Sequence, residues 1–445
     1  MPGYVPNTDP ERKAMLAAIG VSSVDDLFND IPPSLRDAEL DLPAPLSEME
    51  LHQVMTELSL KNASVDRNPC FLGAGAYRHF VPAVVGAVTS RGEFATAYTP
   101  YQPEISQGTL QTIFEFQSMM CELTGMDVAN SGMYDGATAL AEAALMACRL
   151  TGRSAVASLS TVNPLWRAVV DTYCLGPEVR HDVVDPAAVA LDGSHACLIV
   201  QYPNFYGSIE DLGRWAELAH AAGALLVVAT YLPALGLLKP PAYYGADIVV
   251  AEGQPLGSTV NFGGPYVGVF TCRQQFVRQM PGRIVGRTTD VQGRTAYVLT
   301  LQTREQHIRR ERATSNICTS EALVALGCTV YLASLGPQGF RELAELCYHK
   351  AHYLSDRLSH LPGYALAFGL PFFNEFVITC PAPPNEVNWL LLNRGFIGGL
   401  DVSGAVPNGL LLACTELNSR REMDQLVNML SNATALSHSG GVNGA

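Results

Sequence analysis

Lysine is scarce in this 445-residue sequence: Lys13, Lys61, Lys239 and Lys350 are the only ones. With so few ammonium groups and a formal net charge of -14, the chain offers little to a phosphate backbone, which excludes nucleic-acid binding as a main role. No C-x-x-C pair occurs among its eleven cysteines, which are odd in number and mostly in apolar contexts. That usage fits reduced thiols. Also missing are H-E-x-x-H, H-x-x-x-H and any histidine–cysteine pairing at ligand spacing, so no metal site is expected. Without G-x-S-x-G a hydrolase triad has no handle, and without a glycine-lysine-serine or -threonine run there is no P-loop. The start "MPGYVPNTDPERKAML" lacks the basic and apolar regions of a secretory signal. The greasiest stretch, "GALLVVATYLPALGLL" (223–238), is too short to span a bilayer and is broken by Pro233 and Gly236. A cytoplasmic protein with no membrane partner is the expectation.

Present instead is an ordinary folded composition, 48% hydrophobic and 16% charged, whose apolar bias points to large subunit contacts. Residues 1–70 read as a helical arm with proline-rich joints such as "DIPPSLR". Ser47 and Glu50 form a capping box ahead of Leu51, Val54, Met55 and Leu58 at helical spacing. From 71 to 330, helices ending near Gly125 and Gly152 give way to short runs, "SAVASL", "HACLIVQY", "ALLVVAT", "ADIVVAE" and "YVGVF", separated by helical segments. Runs apolar on both faces belong to a parallel sheet covered on both sides, hence a large doubly wound α/β domain with a mostly parallel sheet. Residues 331–436, with the amphipathic "FRELAELCYHKAHYLSDRLSHL" and the strands "NEFVITC" and "GLLLACTE", read as a smaller C-terminal α+β domain. The small polar residues of 437–445 read as a flexible tail.

Four stretches could carry chemistry. In "ATAYTPYQPEISQGTLQ", Tyr98, Tyr101, Gln102, Glu104, Ser106 and Gln107 crowd a proline-stiffened segment, which is either a surface loop or part of a subunit seam. In "NSGMYDGATALAEAA", Ser131, Asp135, Gly136 and Thr138 precede a helix, whose free N–H groups suit a phosphate; a plain N-cap uses the same residues. "AEGQPLGSTVNFGGPYVGVF" (251–270) is a glycine-rich turn between two apolar runs, with Gly263-Gly264-Pro265 as a tight turn at positive φ. In "LQTREQHIRRERATSNICTS", Arg304, His307 and Arg310 could contact a carboxylate or a subunit seam, while helical spacing sets Glu305 beside Arg309 as an ion-pair face.

Nine stretches in order across the chain, "YVPNTDPERKAMLAAIG", "LDLPAPLSEMEL", "FLGAGAYRHFVPAVV", "YTPYQPEISQGTLQ", "MYDGATALAEAALMA", "QYPNFYGSIED", "FGGPYVGVF", "LTLQTREQHIRRERATSNICTS" and "LLLACTE", resemble the glycine decarboxylase P-protein of the glycine cleavage system, in particular its separate N-terminal-half subunit. The resemblance implies the fold-type I architecture of pyridoxal phosphate (PLP) transferases, with active sites at a subunit seam. It also implies a PLP-bearing beta subunit as partner, two of each chain, and a lipoylated H-protein that takes up the aminomethyl group left when glycine is decarboxylated. PLP chemistry needs a lysine to anchor the cofactor and an acid beside the pyridine nitrogen. The resemblance puts Gln254 or Pro255 at the lysine's position, and Ala229 and Thr230 where the acid belongs. PLP is therefore expected on the partner, with none held covalently here. Tyr98, Tyr101, Gln102 and Glu104 would reach the partner's site, and Ser131, Asp135, Gly136 and Thr138 would be a degenerate phosphate loop. The alternatives are a scaffold or regulatory pseudoenzyme, and a self-sufficient PLP enzyme anchored on an unusual lysine, Lys239 first.

Overall fold

A computed structural model describes residues 6–36 and 40–439. Parts of the expected arm (1–5 and 37–39) and most of the expected tail (440–445) lie outside the described residues. The chain divides into two units, 1–62 and 63–445. In the first, α1 (Asp9–Ile19) and α2 (Glu48–Leu60) each open on a capping box, Thr8 with Glu11 and Ser47 with Glu50. Neither helix buries a residue, and Leu51, Val54, Met55 and Leu58 form an exposed apolar stripe.

The second unit begins with α3 (Ala83–Thr89), α4 (Gly92–Ala95) and α5 (Gln107–Thr124). Then come β1 (Val128–Ala129), α6 (Gly136–Thr151), β2 (Ala155–Leu159), α7 (Pro164–Leu175), β3 (Arg180–Val184), β4 (His195–Tyr202), α8 (Leu212–Ala221), β5 (Leu225–Thr230), β6 (Ile248–Glu252) and β7 (Gly268–Cys272). One seven-stranded sheet results, in the order β1-β7-β6-β5-β4-β2-β3. β7 is antiparallel to both its neighbours and every other pair is parallel. Each apolar run of the sequence has become a strand, because side chains that are apolar on both faces need cover on both. Helix α6 supplies part of that cover with Ala139, Leu140, Ala143 and Ala147, all fully buried.

A hairpin follows that periodicity did not reveal, β8 (Ile284–Thr289) with β9 (Thr295–Thr300). Only Val285 and Leu299 on it are buried against Leu110 and Ile113 of α5, so its apolar signal is thin. After the one-turn α9 (Gln306–Arg309), α10 (Ala322–Ser359) runs through position 330 and turns at Gly336, whose φ of 63° precedes Pro337. By length and composition α10 could cross a membrane. Its buried residues, Ala325 and Tyr331 in one core and Leu354 and Leu358 in the other, make it a helix shared by two cores.

Strands β10 (Ala365–Leu366) and β11 (Glu375–Thr379), helix α11 (Pro384–Leu392), strands β12 (Leu400–Asp401) and β13 (Gly409–Ala413) and helix α12 (Arg420–Ser439) complete the smaller domain. Its sheet, β10-β11-β13-β12, is antiparallel. The segment around Phe71 joins this sheet: Phe71 donates its N–H to Ile397, accepts from Ala413, and packs wholly buried beside Phe376. Residues 70–80 thus tie the small domain to the cleft above the large sheet.

Candidate functional site

In a doubly wound sheet, ligands bind beyond the carboxyl ends of the parallel strands. Here those ends are Tyr202, Thr230 and Glu252, beside the start of α6. Asp135 caps that helix, accepting from the Thr138 N–H at 2.8 Å, while its own N–H reaches the Thr138 hydroxyl at 3.2 Å. The first helical N–H, that of Gly136, donates to Glu252 Oε2 at 2.9 Å. The other oxygen of Glu252 accepts from the N–H groups of Gln254 at 2.9 Å and Val267 at 3.4 Å. Burial pushes the Glu252 carboxyl up to about 7 against the pull of these amides, and the nearby Asp135 charge adds to the rise. Only glycine fits at 136, where a Cβ would stand 2.4 Å from the Trp166 ring. Ser131 is buried, holds the Arg283 carbonyl through its N–H at 2.9 Å, and leaves its hydroxyl without a partner.

The glycine-rich turn after β6 has the expected backbone, with Gly263 and Gly264 at φ 91° and 137°. Of the two positions left open by sequence, Gln254 is fully buried and reaches across the cleft, while Pro255 is buried next to it in the turn. The Gln254 side chain accepts from Tyr77 N–H at 3.0 Å and donates to the carbonyls of Tyr77 and Ser258, both at 2.9 Å. At the end of β5, Ala229 is buried and the Thr230 hydroxyl is spent on the Tyr202 carbonyl at 2.8 Å. Beyond it stand the chain's own rings: Tyr77 and Tyr231 lie 4.4 Å apart by centroid, and His79 is 6.1 Å from Tyr231 by centroid.

Both nitrogens of the His79 ring are engaged, Nδ1 with Glu416 at 2.7 Å and Nε2 with the Tyr231 hydroxyl at 2.5 Å. Burial raises the Glu416 carboxyl, but hydrogen bonds from His79 and the Phe80 N–H outweigh it and leave it below its ordinary range. Cys347 comes within 3.7 Å of the same carboxylate, so His79, Cys347 and Glu416 form a compact group of potential ligands that sequence spacing did not show. A second buried carboxylate, Glu375, accepts from the Tyr77 hydroxyl and the Ala74 N–H, both at 2.6 Å, and burial pushes it up to about 7. The sequence signal for Tyr77, His79 and Glu416 lay in "FLGAGAYRHF" and "LLLACTE", distant stretches that fold together here, whereas Cys347 and Glu375 lie outside both.

These residues do not fit PLP. The turn offers an amide where an anchor is needed, the strand end offers no acid, and the first amide of α6 already holds a carboxylate. Lys239, the alternative anchor, is exposed with its ammonium 5.1 Å from the Tyr244 ring centre and 5.4 Å from that of Tyr243. Lys350 donates to the Glu416 carbonyl, while Lys13 and Lys61 lie in the first unit.

The aromatic loop ahead of α5 has a different character. Tyr98 is 82% exposed, and Gln102 and Glu104 are exposed too. Tyr101 accepts a hydrogen bond from Arg283 Nη2 at 3.0 Å and meets the edge of His307 at 5.7 Å. Ser106 precedes α5 without a side-chain cap bond. Gln107 is occupied internally, donating to the carbonyls of Pro103 and Tyr297 and accepting from the Tyr297 N–H. The expected pairing of Glu305 with Arg309 is not what forms. Glu305 turns inward to Arg283 at 3.3 Å and Arg309 takes the Thr303 carbonyl, because the helix there lasts one turn and cannot sustain the spacing. Arg304 is buried, its guanidinium holding the carbonyls of Leu301, Met280 and Gly282. His307 and Arg310 remain exposed. Two cavities meet at Arg283: one of about 240 Å³ lined by Tyr98, Ser131 and Leu299, and one of about 270 Å³ lined by Tyr101, Glu305 and His307.

The fold and this filled cleft define a fold-type I PLP-transferase architecture, and solved structures agree. A C-DES mutant with glycine covalently linked to its PLP cofactor superposes with a TM-score of 0.60 over 82% of this chain and 96% of that one, at 14% identity, a likeness of fold alone. A glycine decarboxylase (P-protein) of the glycine cleavage system, crystallised in inhibitor-bound form, gives a TM-score of 0.91 at 44% identity over 97% of this chain and 99% of that one. A probable glycine dehydrogenase (decarboxylating) subunit 1 from Thermomicrobium roseum is 52% identical over 97% of this chain and 100% of its own length. The family model described as glycine cleavage system P-protein matches residues 2–430, and the chain belongs to that family.

Proposed function

We propose that this chain is the non-anchoring alpha subunit of glycine decarboxylase. Together with a PLP-bearing beta subunit it decarboxylates glycine and passes the aminomethyl group to the lipoyl arm of the H-protein. The observation that carries the division of labour is Gln254: a fully buried amide, locked by three backbone bonds to Tyr77 and Ser258, stands where an anchoring lysine would be needed. The relative from Thermomicrobium roseum, matched end to end and named as subunit 1, supports the activity.

On this reading the chain contributes walls and polar contacts to a site whose cofactor the partner holds. Tyr98, open to solvent, and Tyr101, oriented by Arg283, present hydroxyls at the mouth of the two cavities. Hydroxyls and a guanidinium at such a mouth suit a small carboxylate substrate, which they would orient while the aromatic faces exclude water. The test is co-expression with the cognate beta subunit, mass measurement of the complex, and exchange of labelled bicarbonate into glycine. Tyr98→Ala with Tyr101→Phe should assemble normally and lose most of the exchange; undiminished exchange would reduce the chain to a scaffold. A lysine of this chain labelled by borohydride in the presence of PLP would sink the proposal altogether.

A further inference from the structure

A carboxyl group already occupies the start of α6. A helix N-terminus collects unpaired N–H groups and partial positive charge, which is why phosphates dock there. In this chain the Gly136 N–H points at Glu252 Oε2, and the N–H groups of Gln254 and Val267 converge on the other oxygen of the same carboxylate. One side chain thus gathers amides from three separate places: a helix start, the turn after β6, and the approach to β7. Asp135 takes the Thr138 N–H of the same helix start. Trp166 closes the remaining space over Gly136.

We propose that Glu252 is a resident stand-in: its two carboxyl oxygens take the place of a cofactor phosphate in the cradle at the start of α6 and close that cradle to phosphate-bearing ligands. The chain then keeps the stability that a bound phosphate gives this architecture while holding no cofactor. An anion would have to displace a tethered carboxyl group and sit beside Asp135. The inference rests on the proposed function, in which this chain carries no PLP of its own, and extends it from the missing anchor to the phosphate end of the site.

The test uses the full chain, inorganic phosphate, acetate and PLP, read by thermal unfolding and by Trp166-dependent fluorescence. Wild type should show no saturable response to phosphate or PLP. Glu252→Ala should be less stable, and acetate or phosphate should restore its unfolding temperature. Its phosphate affinity should exceed that of wild type by about tenfold or more, the effect of unmasking a helix start. If Glu252→Ala does not fold without additives, refolding that requires acetate or phosphate supports the proposal, and refolding indifferent to both overturns it. Saturable phosphate binding by wild type, competed by PLP, would also overturn it. The two readings fail differently: a borohydride-fixed PLP–lysine adduct on wild type strikes the proposed function, whereas a folded Glu252→Ala that ignores phosphate strikes only this inference.

Discussion

Glu375→Gln probes the cleft through its most deeply placed carboxylate. Glu375 opens β11 and accepts from the Tyr77 hydroxyl and Ala74 N–H, which fastens residues 74–77 to the small domain. Burial lifts its folded-state value from 4.5 to about 7. A carboxyl raised in this way is protonated more readily in the folded than in the unfolded chain between those two values. Its contribution to stability is therefore fully present below about 4.5 and lost as pH rises through 7. Linkage from 4.5 to 7 gives a loss of roughly 2 to 3 kcal/mol between pH 5 and pH 8. A glutamine keeps the shape and can keep both hydrogen bonds, and it does not titrate. Urea unfolding of wild type and Glu375→Gln at both pH values gives a difference of differences from which the other titrating groups cancel. The variant should be close to wild type at pH 5 and the more stable of the two at pH 8, by roughly 2 kcal/mol after residual burial costs. A mutational effect independent of pH, or a variant that loses ground to wild type between pH 5 and pH 8, would refute the reasoning: it would mean that Glu375 is held ionised by Tyr77 and Ala74.

Two further outcomes follow from the same cleft. Gln254→Lys should fold less stably by roughly 2 to 4 kcal/mol, because an ammonium would replace an amide that both donates and accepts inside a buried site. It should catalyse no glycine decarboxylation, since no acid stands at Ala229 or Thr230 to keep a pyridine nitrogen protonated; glycine decarboxylation by the isolated variant would contradict this. Asp135→Ala removes the cap of α6 and should cost about 0.5 to 2 kcal/mol in thermal or urea unfolding.

Much of this was legible in the sequence, for reasons that can be located. The strands of the large sheet are runs apolar on both faces, the helices ending at Gly125 and Gly152 stop at left-handed glycines, and Ser47 with Glu50 caps a helix as its spacing says. These signals are local, so a single chain displays them. The absence of a lysine from the turn after β6 was legible for another reason: the chain has only four lysines, at 13, 61, 239 and 350. The hairpin β8–β9 escaped notice because, apart from Ile284, Val285 and Leu299, its residues stay out of the buried cores, and those three split between two clusters. The Arg304 cluster misled because charge spacing says nothing about a helix that ends after one turn.

What the sequence determined by itself is the class of fold, the family, and the absence of a lysine from the turn after β6, since each is written in local pattern or in composition. Only the tertiary structure decided what fills the cleft. Glu252 meets Gly136 across 116 positions, Gln254 meets Tyr77 across 177, and His79 meets Glu416 across 337. Contacts at such separations depend on how strands and segments are brought together, and a buried carboxylate or amide declares its role only when its partners are in place.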